Sequence, residues 1–194
     1  MKYEAIVIGT SAGGLDAVKT LCAHLPADFS VPIAAVLHLH RNTKDDLITL
    51  LNREIRLTVK YAEDKEQIQK GCLFIAPPDY HLLIEDDRTF SLSVDEPVNY
   101  SRPSIDVLFE SAADVFREHI IGIILTGANK DGSLGLRRIK ERGGTTIVEN
   151  PRTAQYSEMP LAAIAEVEVD YILDINEITN KVMELLLRSK CKTS

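Results

Sequence analysis

Tryptophan is absent from the chain, cysteine occurs only three times, and no stretch is a long unbroken run of apolar residues. The last of these excludes a transmembrane helix, which needs roughly 18 or more such residues. Cys22, Cys72 and Cys191 are odd in number and lack metal-ligand spacing, so neither a disulfide framework nor a structural zinc site is indicated. Cys22 and Cys72 sit among apolar neighbours and read as small core residues in a reducing cytoplasm. Glu4 interrupts the N-terminus, and the apolar run Ala5–Ile8 is too short for a signal peptide. Basic charge is also scarce: 22 Lys and Arg stand against 29 Asp and Glu, a formal charge of −7. That balance disfavours nucleic acid or an anionic membrane as the main partner. Arg188, Lys190 and Lys192 do not reverse it, and residues 189–194 read as a frayed tail.

What remains is an ordinary globular composition, 45% hydrophobic and 26% charged over 194 residues. No linker or repeat divides it, so a single domain over 1–194 is expected. Short apolar, β-branched runs alternate with helical periodicity, as parallel-sheet folds require. Tyr3–Ile8, Val31–Leu37, Ile121–Leu125, Thr145–Val148 and Val167–Leu173 read as strands. Between them, Leu15, Val18, Leu21 and Cys22 recur at helical spacing, and Asn42 or Thr43 is placed to cap a helix carrying Leu47, Leu50 and Leu51. Ser104 is expected to cap a helix with Val107, Leu108, Ser111 and Val115 on one face. Asp131–Arg142, closed by Gly143-Gly144, a short helix at Pro160–Ala165, and a last one from Asn176 to Arg188 complete the set. The middle differs. Thr58–Tyr61, Cys72–Ala76, Tyr80–Glu85 and Phe90–Val94 are short and separated by turn residues, suggesting an antiparallel hairpin appended to the main sheet. The fold class is therefore α/β, a doubly wound and mostly parallel sheet with that appendage.

Ligands of such sheets bind outside the carboxyl ends of the strands, and three strand ends carry candidate chemistry. Gly9-Thr10-Ser11-Ala12-Gly13-Gly14 fits the Gly-x-Ser-x-Gly form, in which glycines permit a sharp strand-to-helix turn and leave the serine presented. The helix start that follows offers free N–H groups to an oxyanion. A phosphate-binding turn or a plain tight connection is the alternative, although Gly-x-Gly-x-x-Gly and the P-loop ending are both missing. His38 ends the second strand, where it can serve as a general base or simply as a boundary histidine. His40 shares its face, but no third ligand accompanies the pair, so no metal is assigned. Asp131, in Thr126-Gly127-Ala128-Asn129-Lys130-Asp131-Gly132, can orient the histidine, cap a helix, or both. The chain order Ser, His, Asp differs from the α/β-hydrolase order, so a triad here would be a convergent one.

At this point the chain resembles the catalytic domain of chemotaxis protein-glutamate methylesterases of the CheB type. The resemblance runs from Ala5 to about Ile178. It rests on Ile8–Gly14, His38, Ala76-Pro77-Pro78-Asp79-Tyr80-His81, Ser101–Phe109, Leu125-Thr126-Gly127 with Asp131-Gly132, and Met159-Pro160 with Ala163-Ile164. It implies hydrolysis of glutamate γ-methyl esters on chemoreceptor helices, with release of methanol, and in related enzymes deamidation of receptor glutamines. It implies Ser11 as nucleophile, His38 as base and then acid, Asp131 as orienting carboxylate, the Ala12 and Ala128 N–H groups as oxyanion donors, and no cofactor. Thr10, His81, Arg102 and Met159 are the candidate substrate contacts; a structural role competes for His81, a solvated surface position for Arg102 and simple packing for Met159. Three departures stand out. Ala128-Asn129 replaces the usual Met-Gly pair before Asp131, with Lys130 beside the acid. Ser101 and Glu158 stand where many members have His and Gly. The sequence has no phospho-acceptor receiver domain before the first strand, which reads either as an excised catalytic domain or as a stand-alone esterase controlled otherwise; the receptor helices and a receiver domain in trans are the candidate partners. A catalytically silent binding module and a nucleotide-binding domain are the competing functions. The altered loop is the only support for the former, and no ribose-binding acid follows the second strand for the latter.

Overall fold

A computed structural model describes residues 3–38 and 47–188; His40 and the expected helix cap at Asn42 or Thr43 lie outside them. In chain order the elements are β1 (Ala5–Thr10), α1 (Gly14–Cys22), β2 (Ile33–Leu37), α2 (Leu47–Glu54), β3 (Thr58–Tyr61), β4 (Cys72–Ile75), β5 (His81–Ile84) and β6 (Phe90–Ser93). They continue with α3 (Ile105–Phe116), β7 (Ile120–Ile124), α4 (Ser133–Glu141), β8 (Thr145–Glu149), α5 (Glu158–Glu166), β9 (Tyr171–Leu173) and α6 (Ile175–Arg188). Seven strands form one parallel sheet in the order β3-β4-β2-β1-β7-β8-β9. The chain starts at the centre with β1, builds outward on the β2 side, then crosses back and builds the other half from β7. The topological switch point therefore lies between β1 and β7, where a crevice opens at the carboxyl ends.

Side chains that alternate along each strand feed two separate cores. Ile6 and Ile8 of β1 pack with Val18 and Leu21 of α1, Leu51 of α2 and Val182 of α6. Ala5 and Val7 face the opposite layer, with Phe109 of α3, Leu136 and Ile139 of α4, Met159 of α5 and Phe90 of β6. Every residue of β1, β2, β7 and β8 is buried, which is why these strands read as continuous apolar runs in the sequence. Among the described residues no helix is long and apolar enough to cross a membrane.

The middle of the chain departs from expectation in a specific way. Only β5 and β6 pair antiparallel, as a separate two-stranded sheet. β3 and β4 instead join the main sheet in parallel. The segment linking them runs beside the hairpin, with Lys65 N–H donating to Phe90 O and Phe90 N–H to Glu66 O. The helix faces also differ. α3 buries Ile105, Leu108, Phe109, Ala112, Ala113 and Phe116, while Val107 and Val115 are only partly buried. Ser111, on the expected face, accepts a hydrogen bond from Ile84 N–H at 3.1 Å and so ties the hairpin to α3. α4 begins at Ser133 with Gly132 at its N-cap, φ 95°, so Asp131 does not cap the helix that follows it.

Candidate active site

Ser11, His38 and Asp131 leave the carboxyl ends of β1, β2 and β7, three adjacent strands at the switch point. The turn after β1 works as its glycines suggested. Gly13 adopts φ 78° at the N-cap of α1, and a Cβ at Gly9 would lie 2.3 Å from Ile105 Cγ2. Gly13 takes the left-handed conformation, and Ser11 is not among the residues with positive φ. The turn is held from across the switch point by Thr126. Its carbonyl accepts Ser11 N–H at 3.0 Å and Thr10 Oγ1 at 2.7 Å, and its hydroxyl donates to Ala12 O at 3.0 Å. Thr126 is fixed in turn by Glu149 of β8, whose Oε2 accepts Thr126 N–H at 2.7 Å. Burial pushes the Glu149 carboxyl up, opposed by that hydrogen bond and reinforced by Asp174.

His38 Nε2 lies 3.2 Å from Asp131 Oδ2 and 3.1 Å from Pro103 O. Both are acceptors, so Nε2 carries the hydrogen and Nδ1 presents the lone pair. The ring nitrogen with a lone pair to offer is therefore Nδ1. Asn129 Nδ2 reaches both it and the Ser11 hydroxyl, 3.3 Å from Nδ1 and 3.4 Å from Ser11 Oγ.

Asp131 is fully buried and surrounded by donors. Its carboxylate accepts Ile105 N–H at 2.7 Å, Ser104 Oγ at 2.8 Å, Asn99 Nδ2 at 3.2 Å and Asp106 N–H at 3.3 Å, besides His38. It thus caps α3, a helix that starts 26 positions earlier in the chain, where N–H groups and dipole both favour an anion. Burial pushes its carboxyl up, but the hydrogen bonds from His38, Ile105 N–H and Ser104 hold it below the usual carboxylate range. Ser104 sits at the N-cap position of α3, yet its hydroxyl serves Asp131 rather than a helix N–H.

A second buried carboxylate adjoins the first. Asp106 accepts Gly135 N–H at 2.7 Å and Asn99 Nδ2 at 2.8 Å, so the Asn99 amide bridges Asp106 and Asp131. Asn99 and Tyr100 both have positive φ, and Val98 and Ser101 exchange backbone hydrogen bonds around them, the geometry of a type I′ turn. The turn aims Asn99 inward and leaves Tyr100 fully exposed. Burial pushes Asp106 up to about 6, with the Asp131 and Glu110 charges adding to it and the Gly135 and Asn99 hydrogen bonds opposing it. An acid with a raised folded-state pKa binds its proton more tightly folded than unfolded, so stability falls as pH rises between the two values. Between about pH 4 and 6 this term costs on the order of 3 kcal/mol. Asp106→Asn is expected to remove that slope, which urea midpoints of both proteins at pH 4.5 and 7.5 would reveal.

Neither Ala12 nor Ala128 donates its N–H to a backbone carbonyl among the described residues. Of the candidate substrate contacts, Arg102 lines a cleft of about 240 Å³ beside His38, with Tyr61, Pro78, Tyr100 and Pro103. Its guanidinium also donates to the carbonyls of Val94 and Asp95. The other three are buried and already have protein partners. Thr10 is fully buried with its hydroxyl given to Thr126 O. His81 is 2% exposed, with Nδ1 accepting Ser104 N–H and Nε2 donating to Glu96 O. Met159 is 1% exposed and packs against Gly127. All three brace the site from behind. Sequence reasoning passed over Asn99, Ser104, Asp106, Thr126 and Glu149 as site residues; Ser104, Asp106 and Thr126 lay within the motifs of the family resemblance, while Asn99 and Glu149 carried no signal beyond polarity.

Comparison with known proteins bears on the whole of this frame. The family model described as CheB methylesterase matches residues 6–182. The crystal structure of the Thermotoga maritima CheB methylesterase catalytic domain is similar with a TM-score of 0.90 at 35% identity, covering 94% of this chain and 98% of that one. A Leptospira interrogans relative, provisionally named for protein-glutamate methylesterase and protein-glutamine glutaminase activities, is 49% identical over 97% of this chain and 95% of its own length. The Clostridium acetobutylicum protein-glutamate methylesterase/protein-glutamine glutaminase is 34% identical over 94% of this chain, which spans only 53% of that longer protein.

Proposed function

Because the chain belongs to the CheB methylesterase family, we propose that it hydrolyses glutamate γ-methyl esters on chemoreceptor helices in the cytoplasm, with Ser11, His38 and Asp131 as its triad. The family's named activity makes it a carboxylic ester hydrolase. The observation that carries the assignment of residues is the buried Asp131 carboxylate on His38 Nε2, with Nδ1 turned toward Ser11.

The reaction follows from that geometry. Ser11 Oγ attacks the ester carbonyl as its proton passes to His38 Nδ1. Asp131 stabilises the imidazolium that forms, and the Ala12 and Ala128 N–H groups receive the oxyanion. Collapse breaks the bond to methoxide, which leaves as methanol with the Nδ1 proton. Water then attacks the acyl-enzyme, gives its proton to Nδ1, and the glutamate carboxylate is released as Ser11 recovers its hydrogen. The same steps on a glutamine side chain release ammonia, the second activity in the relatives' names. The described residues, folded around one sheet, act as a single catalytic unit in this reading.

The test is release of methanol from a methylated receptor cytoplasmic fragment, and of ammonia from its glutamine form. Saturable methanol release well above the enzyme-free rate is the expected result. Methanol at the enzyme-free rate, on fragments known to be methylated, would sink the esterase reading.

A further inference from the structure

The Asn129 amide occupies an unusual place for an inert loop residue. Its Oδ1 accepts the Asp131 N–H at 3.0 Å, an Asx turn that fixes which end of the amide is oxygen. Nδ2 is thereby aimed at the catalytic pair, 3.4 Å from Ser11 Oγ and 3.3 Å from His38 Nδ1. Ser11 and His38 share no direct hydrogen bond among the described contacts, and the amide is within hydrogen-bond distance of both. The Nδ1 lone pair is a single acceptor site, so it can receive either an amide N–H or the serine hydroxyl.

From this we infer that Asn129 is a cap on the general base: its amide fills the Nδ1 position in the free enzyme and must swing away before Ser11 can deliver its proton. The position of Nδ2 argues against an oxyanion donor. The oxyanion develops on the substrate carbonyl oxygen, whereas a group hydrogen-bonded to both Oγ and the base nitrogen lies on the proton-transfer side. The loop permits the motion, since Asn129 is only partly buried and its neighbours Ala128 and Lys130 are exposed. The amide hydrogen bond is a modest one, so the cap slows acylation without abolishing it.

This inference rests on the Ser11–His38 reading above, and the experiment separates the two. The rate of covalent labelling by a small fluorophosphonate, and kcat and KM for p-nitrophenyl acetate, would be compared in the native protein, Asn129→Gly, Asn129→Ser and Ser11→Ala. Serine keeps the turn to the Asp131 N–H but is too short to reach Nδ1, which guards against a result caused by a collapsed loop. Both Asn129 variants are expected to label and turn over about three- to tenfold faster, the scale of one displaced hydrogen bond, with KM changed by less than about twofold. In ¹⁵N spectra the His38 Nδ1 resonance should move in both, a signature that mere loosening of the loop would not produce. A native protein that stays unlabelled while Asn129→Gly labels would support the cap more strongly still. Equal or slower rates in both variants would overturn it, slower ones pointing to transition-state stabilisation by the amide. Labelling of none of the four would remove Ser11 as an activated nucleophile, and the cap would fall with it.

Discussion

Ser11→Ala is expected to reduce methanol release by at least about 10⁴-fold, because it removes the only atom that forms the acyl bond. A residual rate above that in water should survive, since the Ala12 and Ala128 N–H groups and the cleft are untouched. Stability should move by less than about 0.5 kcal/mol, as the Ser11 anchor is its backbone N–H on Thr126 O, which alanine keeps. The pairing of lost activity with unchanged unfolding midpoint is the informative result. Activity retained in Ser11→Ala would place the nucleophile elsewhere and dissolve the triad.

Asp131→Asn should fail in both respects. Every group that contacts this carboxylate is a donor: His38 Nε2, the Ile105 and Asp106 N–H groups, Ser104 Oγ and Asn99 Nδ2. An asparagine must turn an N–H toward at least one of them. If it meets His38, the ring is driven to the other tautomer and Nδ1 loses its lone pair, a cost on the order of 10⁴-fold in kcat. If it meets α3, the helix loses an anionic cap, a cost of about 2–4 kcal/mol in stability. Combined kinetics and chemical denaturation would show how the loss divides. The pH dependence distinguishes the variant further. A carboxyl held low in the folded state contributes stability that is present above its unfolded value and lost as pH falls through the folded one. The native protein should therefore lose a stabilising term at strongly acid pH that Asp131→Asn never had. Unchanged stability and activity together would mean that the carboxylate is dispensable to both cap and base.

Asp131 also shows what could and could not be read from the chain. An aspartate in a Gly-rich loop suggested an orienting acid or a helix cap; in the structure it contacts His38 and caps α3, not the helix that follows it. The identity of the capped helix was not legible, because the capped N–H groups lie 26 residues away and only tertiary structure brings them near. The core strands were plain, since burial on both faces demands continuous β-branched runs. β3 and β4 were found as strands but not as parallel neighbours: short strands announce extension, whereas partner choice depends on a crossover with no helical pattern of its own. The family resemblance proposed a nucleophile, a base and an acid by residue. It did not supply the bracing shell of Asn99, Asp106, Thr126 and Glu149, whose polar side chains look like surface residues until the fold encloses them. The burial of Thr10, His81 and Met159 was hidden for the converse reason. They are adjacent in sequence or motif to the site, and the sheet turns them inward.

The clasp that Thr126 places on the Gly9–Gly14 turn joins segments 116 residues apart. During synthesis the turn emerges early, and for most of the chain's translation the Thr10 hydroxyl and the Ser11 N–H have no carbonyl to meet. The nucleophile's scaffold is finished only when β7 docks beside β1, a long-range pairing of the kind that closes late in folding. Nascent and truncated chains ending before that strand therefore carry Ser11 without the contacts that set its turn.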